Sequence, residues 1–264
     1  MIRFLVAGVG LLTVAAAIPA LAADIPVRAV YSAPPVLFSW TGFYGGLNAG
    51  GGWGSKGVAV LPQTDPTLGL IGSPSTTLEL SGGLVGGQVG FNYQTGDWVL
   101  GLEADAAWAR LTGSNPCLFT SSTLGVLITT CTASARVDAV GALAGRLGIS
   151  VDRVLVYVKS GGAWTRDRYS LVATARSAVL PPATPAVLPP TGTGSESRWG
   201  WTVGAGVEYA FAGPWSAKVE YDYMNSGSRS VAWAIINATP IQAKIVQEEH
   251  VLKAGLNYRF GSYY

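Results

Sequence analysis

The stretch Trp98–Trp108, WVLGLEADAAW, alternates along its whole length between apolar residues and small or charged ones. Its even positions carry a tryptophan at each end with leucines and alanines between them, whereas Glu103 and Asp105 stand at odd positions. Because successive side chains of a strand point to opposite faces, this period of two predicts a β-strand with one apolar and one charged face. About 10 residues is also the length that a tilted strand needs to cross a membrane.

Seven further segments alternate in the same way, and an even number of strands suits a closed antiparallel barrel. We therefore predict an all-β fold, an eight-stranded antiparallel up-and-down transmembrane β-barrel. In the segment Arg136–Ile149, the alternation assigns Val137 to the apolar face and Arg136 and Asp138 to the polar face. The seven segments are Phe43–Trp53, Val85–Tyr93, Arg136–Ile149, Val154–Trp164, Arg198–Phe211, Trp215–Tyr223 and Leu252–Phe260.

The connections between these segments alternate strictly between short and long. In an up-and-down barrel this places every long loop at one end and every tight turn at the other. Outer-membrane barrels carry their long loops outside the cell and their short turns in the periplasm, so both termini are expected on the periplasmic side. The short links are residues 94–97, 150–153 and 212–214, and the long ones are 55–77, 111–135, 169–197 and 225–245, of which the third is rich in proline.

The N-terminus has the features of an exported chain. Arg3 precedes an apolar run, and the small residues at Ala20–Ala22 match a cleavage site, so residues 1–22 are predicted to be a removed signal peptide. A membrane anchor helix is the alternative, which a proline and an aspartate near the end of the run disfavour. Residues 23–39 are then predicted to be a proline-rich periplasmic leader, and residues 40–264 one barrel domain.

Composition excludes several other classes of protein. Of the 264 residues 49% are hydrophobic and 12% charged, and the net charge is +2 with the basic residues spread along the chain, so no surface for nucleic acid is expected. The glycine pairs lack the Gly-Lys-Ser or Gly-Lys-Thr of a phosphate loop, and no cofactor is predicted. The chain has one histidine, His250, and no Cys-x-x-Cys pair, so no metal site is predicted either.

The aromatic residues decide which face of the strands meets the membrane. A secreted lipid carrier with eight strands would put its apolar face inside, around a ligand. Here aromatic rings cluster near both ends of the apolar face, as in the interfacial girdles of membrane barrels, so this face is predicted to meet lipid. The predicted girdle comprises Phe43, Trp53, Trp98, Trp108, Trp199, Trp201, Tyr221, Tyr223, Tyr258 and Phe260.

The polar face then lines the interior, where charges of both signs are expected to pair. Eight strands enclose an interior that is about filled by side chains, so this set predicts a structural plug rather than a wide pore. A catalytic carboxylate pair is the alternative, disfavoured because a barrel needs these charges for packing. The predicted interior charges are Glu103, Asp105, Asp138, Arg146, Lys159, Glu208, Lys218, Glu220, Asp222, Lys253 and Arg259.

Cys117 and Cys131 lie in one polar stretch of the chain. In an oxidising compartment, two such cysteines most often form a disulfide. Closing a loop of about 15 residues stabilises a fold by on the order of 3 kcal/mol in the chain-entropy account. We therefore predict a disulfide between them.

Several motifs give the chain a family resemblance. WTGFYGGLNAGGGWG at Trp40–Gly54, GLEAD at Gly101–Asp105 and WTVGAGVEY at Trp201–Tyr209 resemble the alphaproteobacterial small outer-membrane proteins of the immunogenic or porin family. The resemblance covers essentially the whole mature chain and implies an OmpA-like eight-stranded β-barrel in the outer membrane, with a structural and surface-antigen role. The long proline-rich loop and the tail after Phe260 depart from the family pattern. The last strand also resembles the signal that barrel assembly machinery recognises, carried by Lys253, Gly255, Tyr258 and Phe260.

Three functions are consistent with the sequence. The first is a non-catalytic structural barrel that supports the envelope and displays its loops, and the second is a small porin-like diffusion channel. The third, a barrel enzyme, needs a general base at the rim, where His250 is expected to be isolated and merely solvated. The expected partners are outer-membrane lipid and lipopolysaccharide, the barrel assembly machinery during insertion and, as an open alternative for the leader, peptidoglycan.

Overall fold

A computed structural model describes residues 38–60, 63–65, 69–72, 75–121, 127–173, 192–233 and 241–261. These residues belong to one compact unit, Leu37–Tyr264. The predicted signal peptide, most of the predicted leader and the proline-rich part of the third loop lie outside the described residues. Within the described part of the chain, no helix is long and apolar enough to cross a membrane.

Ten β-strands make up the described fold, and eight of them close into a ring. The strands are β1 (Gly42–Val60), β2 (Gln63–Asp65), β3 (Gly69–Gly72), β4 (Ser75–Thr95), β5 (Trp98–Ser121), β6 (Leu127–Val151), β7 (Val154–Ala173), β8 (Gly192–Ala212), β9 (Trp215–Trp233) and β10 (Ile241–Phe260). The ring runs β1-β4-β5-β6-β7-β8-β9-β10, all antiparallel, while β2 and β3 form a hairpin that pairs with the end of β5. The predicted eight-stranded antiparallel up-and-down barrel is confirmed.

The first and last strands close the barrel. β10 pairs with β1 from Phe43 opposite Phe260 to Val60 opposite Ala243, and β1 pairs with β4 on its other side. Neither strand is therefore left with an open edge. An open edge would expose unpaired N–H and C=O groups to lipid, where no water is present to satisfy them.

Three tight turns define one end of the barrel, termed the turn end. Gly96, Asp152 and Gly213 have positive φ angles of 57°, 54° and 50° there. This left-handed conformation suits two-residue links between twisted antiparallel strands. The opposite end, termed the loop end, carries the other connections between ring strands.

The ring strands are longer than the alternation predicts. β5 continues to Ser121, β6 begins at Leu127, and the two strands stay paired up to those residues. The prediction that residues 111–135 form a long loop is therefore wrong. The apolar alternation marks only the part of a strand that needs an apolar outer face, whereas the hydrogen-bonded ladder continues where the outer face is polar.

A β-bulge at Asp138 exchanges the inward and outward faces of the loop-end part of β6, the residues before Asp138. The register against β7 shifts between Val137 and Ala139, which leaves Asp138 as the extra residue. As a result Val137 is fully buried and Arg136 is exposed. The assignment of Val137 to the lipid face and of Arg136 to the polar interior face is wrong, because one inserted residue moves every later side chain to the other face.

The barrel interior is filled in layers along its axis. Near the turn end, Trp40 and Leu155 belong to one buried apolar cluster. Toward the loop end, Leu111, Met224 and Val251 belong to a larger apolar cluster with contributions from most ring strands. The strand positions between these two clusters carry charged side chains that point inward, and these form the candidate site.

Candidate functional site

Nine of the eleven predicted interior charges meet in the layer between the two apolar clusters. All nine are buried, and each takes part in at least one ion pair. Five of them are carboxylates and four are cations. This set, termed the interior network, comprises Glu103, Asp105, Arg146, Lys159, Glu208, Lys218, Glu220, Asp222 and Lys253.

Lys159 on β7 lies at the centre of the interior network. Its Nζ is 2.6 Å from the Glu220 carboxylate and 3.2 Å from that of Asp222. The same Nζ is 3.4 Å from Asp105 and 3.5 Å from Glu103. Because the side chain is fully buried, water screens these attractions far less than it screens surface ion pairs.

Three carboxylates of the network are close enough together to resemble a metal site. Glu103, Asp105 and Glu220 have ligand oxygens that lie within 4.8 Å of one another. Lys159 contacts all three, so an ammonium group already supplies the positive charge that a bound cation would bring. The residues present therefore fit an ion-pair network better than a metal centre.

Two ion pairs join opposite walls of the barrel. Lys218 on β9 lies 2.9 Å from Glu103 on β5, and these two strands stand opposite each other in the ring of eight. Nearer the loop end, Lys56 on β1 lies 2.7 Å from Asp167 on β7, again on opposite strands. These side chains extend across the interior to meet. Protein side chains therefore bridge the barrel at two levels along its axis.

Two tyrosines that are absent from the predicted set hydrogen-bond to the interior network. Tyr157 donates a hydrogen bond to Glu220 at 2.6 Å, and Tyr44 donates one to Glu103 at 2.8 Å. Gly206 leaves the space for one ring, since a Cβ there would lie 2.6 Å from the Tyr157 ring. The available signal was parity, because both tyrosines stand at positions of the polar face of their strands, the same face that carries Asn48 on β1 and Lys159 on β7.

The two remaining predicted charges lie outside this layer. The Asp138 carboxylate is 2.7 Å from Nε of Arg136 and 2.6 Å from Nε of Arg168, and both arginines are exposed. Its assignment to the interior is wrong because of the bulge. Arg259 is buried at the turn end, where it donates to the Ser39 carbonyl and its guanidinium lies over the rings of Phe38 and Trp40.

The predicted girdle residues lie on the outer face of the ring in two bands. Nine of the ten are exposed, and Tyr223 is half-buried. We define the membrane spans as the strand segments between the bands, from Phe43 to Trp53 on β1 and from His250 to Phe260 on β10, which matches the 9–11 residues of a tilted span. The turn-end band contains Phe43, Trp98, Tyr258 and Phe260, and the loop-end band contains Trp53, Trp108, Trp199, Trp201, Tyr221 and Tyr223.

His250 packs into the loop-end band. Its ring stacks on Trp53 with 5.7 Å between centroids, and its Nδ1 is 2.6 Å from the Tyr221 hydroxyl. The expectation of an isolated, solvated histidine is therefore wrong. Its ring neighbours come from other strands, and spacing along a single strand does not reveal them.

A second buried polar group, absent from the predicted interior charges, lies beyond the loop-end band and outside the membrane spans. Gln247 donates to Glu249 at 2.6 Å, and Lys56 donates to Asp167 at 2.7 Å. Burial, with a contribution from Asp167, raises the pKa of Glu249 to about 7, and burial lowers the pKa of Lys56. This loop-end cluster comprises Lys56, Asp167, Arg198, Gln247 and Glu249.

The two cysteines stand opposite each other on paired strands. The register places Cys117 of β5 directly across from Cys131 of β6. Directly paired residues of antiparallel strands have Cα atoms about 4.5–5.5 Å apart, which lies within the range of a disulfide. Their side chains lie outside the described part of the structure, so the disulfide stays a prediction.

The four residues of the predicted assembly signal all lie on β10, the strand that closes the ring. Lys253 points inward and is buried in the interior network, whereas Tyr258 and Phe260 are exposed on the outer face. Gly255 stands between them opposite Asn48. Their recognition by an assembly factor stays a prediction.

Residues 10–260 match the protein family described as outer membrane protein beta-barrel domain. The chain belongs to this family. A relative of this outer-membrane β-barrel protein is the 31 kDa outer-membrane immunogenic protein of Brucella melitensis, 31% identical over 249 residues that cover 91% of this chain and 93% of the relative. The 25 kDa outer-membrane immunogenic protein of Brucella abortus is 23% identical over 256 residues, which cover 93% of this chain and 95% of that protein.

Among solved structures, the outer membrane protease OmpT of Escherichia coli is similar to this outer-membrane β-barrel protein. It shares 10% identity with a TM-score of 0.48, and the match covers 83% of this chain and 97% of that one. A likeness of this degree carries no inference about activity. The outer surface itself agrees with the family, because large apolar residues such as Leu47 and Trp108 are 73% and 78% exposed, as expected where lipid covers them.

Proposed function

We propose that this outer-membrane β-barrel protein is a non-catalytic structural barrel whose interior is closed to solutes. The observation that carries the proposal is the interior network, in which buried ion pairs such as Lys218 with Glu103 join opposite walls. Separating a buried pair leaves an uncompensated charge in the interior, which is strongly unfavourable. A solute passing through this layer would have to separate such pairs, so an envelope role is favoured over a diffusion channel.

The apolar clusters on either side of the network support the same function. At the turn end, Trp40 is 1% exposed and its backbone N–H donates to Gln94 at 2.7 Å, so the chain before β1 is held at the barrel mouth. Toward the loop end, Leu111 and Val137 are fully buried. Buried apolar side chains do not hold water, and at the level of Val137 the ion pair between Lys56 and Asp167 also crosses the interior, so ions have no continuous hydrated route.

The surroundings of the one histidine support the non-catalytic part of the proposal. His250 is held by Trp53 and Tyr221 within the loop-end band. Among the described residues, no carboxylate contacts its ring. A general base of the familiar kind is oriented by such a partner, and this ring serves instead as part of the aromatic packing.

Conductance of the refolded protein tests the closed interior. In a planar bilayer at high salt, we expect the wild type to give no stable unitary current steps. Stable steps of uniform size from correctly folded protein would overturn the closed barrel in favour of the channel. A general porin reconstituted in the same bilayers serves as the positive control for the recording.

A matched pair of variants sharpens this test. Glu103→Ala/Lys218→Ala removes one cross-barrel ion pair, and we expect it to produce leak current because the interior loses two long side chains while its net charge is unchanged. Glu248→Ala/Lys244→Ala also removes one charge of each sign, but from exposed positions of β10, and should stay silent. Silence of both variants would mean that the network does not close the barrel.

We also propose that the loop end faces the outside and the turn end the periplasm, as in outer-membrane barrels generally. The relatives named as outer-membrane immunogenic proteins support a role as a surface antigen. Barrel assembly machinery is the proposed partner during insertion, through the signal on β10. In intact cells, a membrane-impermeant maleimide should label Ser228→Cys at the loop end and leave Asp97→Cys at the turn end unlabelled. The reverse pattern would show that the turn end faces the outside and would refute the proposed orientation.

A further inference from the structure

Four arginines face outward on neighbouring ring strands, just beyond the loop-end band. Arg110 lies on β5, Arg136 on β6, and Arg166 and Arg168 on β7, and all four are exposed. Neither the closed interior nor the aromatic bands use these residues. This group is termed the outer basic face, and its charge, lining and height along the barrel together indicate a ligand.

The outer basic face has more positive charge than its own acid neutralises. Arg136 stands directly opposite Arg168, and like charges in direct register destabilise a sheet. The bulge at Asp138 supplies one carboxylate between them, at 2.7 Å and 2.6 Å from the two Nε atoms. Within the described part of the chain, Arg110 and Arg166 have no ion pair, so four guanidinium groups share one carboxylate.

The exposed Glu79 on the adjacent strand β4 does not change this balance. It lies on the outer face near β5, yet it makes no ion pair with any arginine of the described chain. Counting both acids against the four arginines still leaves two positive charges in excess. Within the described residues, this arrangement therefore lacks an anionic partner for two of its four arginines.

A cleft of about 850 Å³ is built into the same face. Three consecutive residues from each of β5, β6, β7 and β8 line it at one level of the barrel, including Arg136 and Arg168. The inward-pointing lining residues Ala135 and Tyr169 are only 3% and 4% exposed, so the cleft opens to the outside. Its other outward side chains all carry hydroxyl groups: Thr112, Ser114, Ser134, Ser170, Thr193 and Ser195.

The height of this face follows from the tryptophans beneath it. Arg110 comes two residues after Trp108 on β5, and Arg166 two residues after Trp164 on β7, which stands directly opposite Trp199 of the loop-end band. With a rise of about 3.3 Å per residue and a tilt of about 40°, two residues add roughly 5 Å of height. Headgroup layers are about 5–7 Å thick on each side of the hydrocarbon core, so the first arginines lie among headgroups and the cleft lies just outside them.

We propose that the outer basic face binds the acidic saccharide headgroup of an outer-leaflet glycolipid. Arg110 and Arg166 lie at the height of phosphate groups next to the acyl chains, and guanidinium groups bind phosphate and carboxylate in a bidentate manner. Arg136, Arg168 and the hydroxyl lining receive acidic sugars further out, since serine and threonine both donate to and accept from sugar hydroxyls. The inference rests on the proposed orientation, which places the loop end outside the cell.

The position of the face selects this occupant over others. A soluble anion or an extracellular protein would not require a site that begins at the level of the headgroups. Arg110 and Arg166 stand beside tryptophans that mark the membrane interface, so a ligand that contacts them must itself lie in the outer leaflet. The cleft then accommodates the part of the same molecule that projects into water.

Binding is measured with the whole protein refolded in micelles of a zwitterionic detergent. The probe is bisphosphorylated lipid A that carries acidic inner-core sugars, and affinities are obtained by native mass spectrometry. We expect Arg110→Gln/Arg166→Gln to weaken binding at least tenfold, and neither residue contacts an acid whose loss of a partner would disturb folding. Arg229→Gln/Lys244→Gln, which removes two exposed cations from β9 and β10, should change the affinity less than twofold.

Further ligands separate the sources of the signal. Equal affinity for phosphatidylglycerol would overturn recognition of the saccharide, and displacement by inorganic phosphate at equimolar concentration would show a site for the free anion instead. Equal losses in the two double variants would mean unspecific attraction and would also sink the proposal. If the proposal of a closed interior is wrong, current appears in the bilayer, and if the proposed orientation is wrong, the labelling pattern in cells is reversed. Both results are distinct from a failure to bind lipid.

Discussion

Replacement of Lys159 by methionine should destabilise the barrel more than any exposed substitution of the same kind. Methionine keeps much of the length and volume of lysine, so the change removes a charge and leaves only a small cavity. Lys159 lies within 2.6–3.5 Å of four carboxylates and is fully buried. Its loss changes the interior network from four cations and five carboxylates, a net −1, to three cations and five carboxylates, a net −2.

The expected magnitude follows from measured buried ion pairs. Removing one partner of such a pair costs about 3–5 kcal/mol, because the other charge is left buried without compensation. Lys159→Met should therefore lower the free energy of unfolding by about this amount. Lys244→Met, on an outward and exposed position of β10, should change it by less than about 0.5 kcal/mol.

The assay is urea unfolding of the refolded protein in phospholipid vesicles, followed by tryptophan fluorescence and by the gel shift between unboiled and boiled samples. A second substitution, Glu220→Gln, removes a carboxylate that lies 2.6 Å from Lys159. In the double variant the network returns to a net −1, so it should be less destabilised than the sum of the two single variants by at least about 1 kcal/mol. The reasoning is refuted if Lys159→Met stays within about 1 kcal/mol of the wild type, or if the two substitutions are additive.

Three further predictions address other parts of the barrel. Folding raises the pKa of Glu249 from 4.5 to about 7, so the folded state loses stability as the pH rises through this range. Glu249→Gln should therefore raise the free energy of unfolding by about 3 kcal/mol at pH 8 and by little at pH 4. Equal effects at both pH values would contradict this. Exported protein should show no alkylation of Cys117 or Cys131 before reduction, and free thiols in the mass spectrum would exclude the disulfide. Gly206→Val should destabilise by about 1–3 kcal/mol through collision with a tyrosine ring, whereas Gly162→Val, with open space around it, should be tolerated in the same urea titration.

The alternation within the spans was sufficient to predict the ring and its two faces. A span such as Trp98–Trp108 must present apolar residues to lipid at every second position, so the requirement is local and is written in consecutive residues. The interior charges on these spans, from Glu103 to Lys253, were predictable for the same reason. Their inward direction followed from parity, and their buried ion pairs follow from the small interior that eight strands enclose.

The lengths of the strands and the bulge required the tertiary structure. Beyond the membrane the outer face is polar, so the continuation of β5 to Ser121 leaves no apolar alternation to detect. The bulge at Asp138 is decided by pairing with β7, and it turned one predicted interior carboxylate into the counter-ion of two outward arginines. One extra residue in one strand has no signature in a single sequence.

The sequence by itself determined the barrel, its lipid-facing side and the residues that fill its interior, because these depend on the period of two along each strand. Only the tertiary structure decided which side chains meet across strands: that Lys218 reaches Glu103 on the opposite wall, that His250 stacks on Trp53, and that four arginines form one outer basic face. The physical reason is that these contacts are set by the register between strands. Register arises from the hydrogen-bonded ladder as a whole, and residues far apart in the chain fix it together.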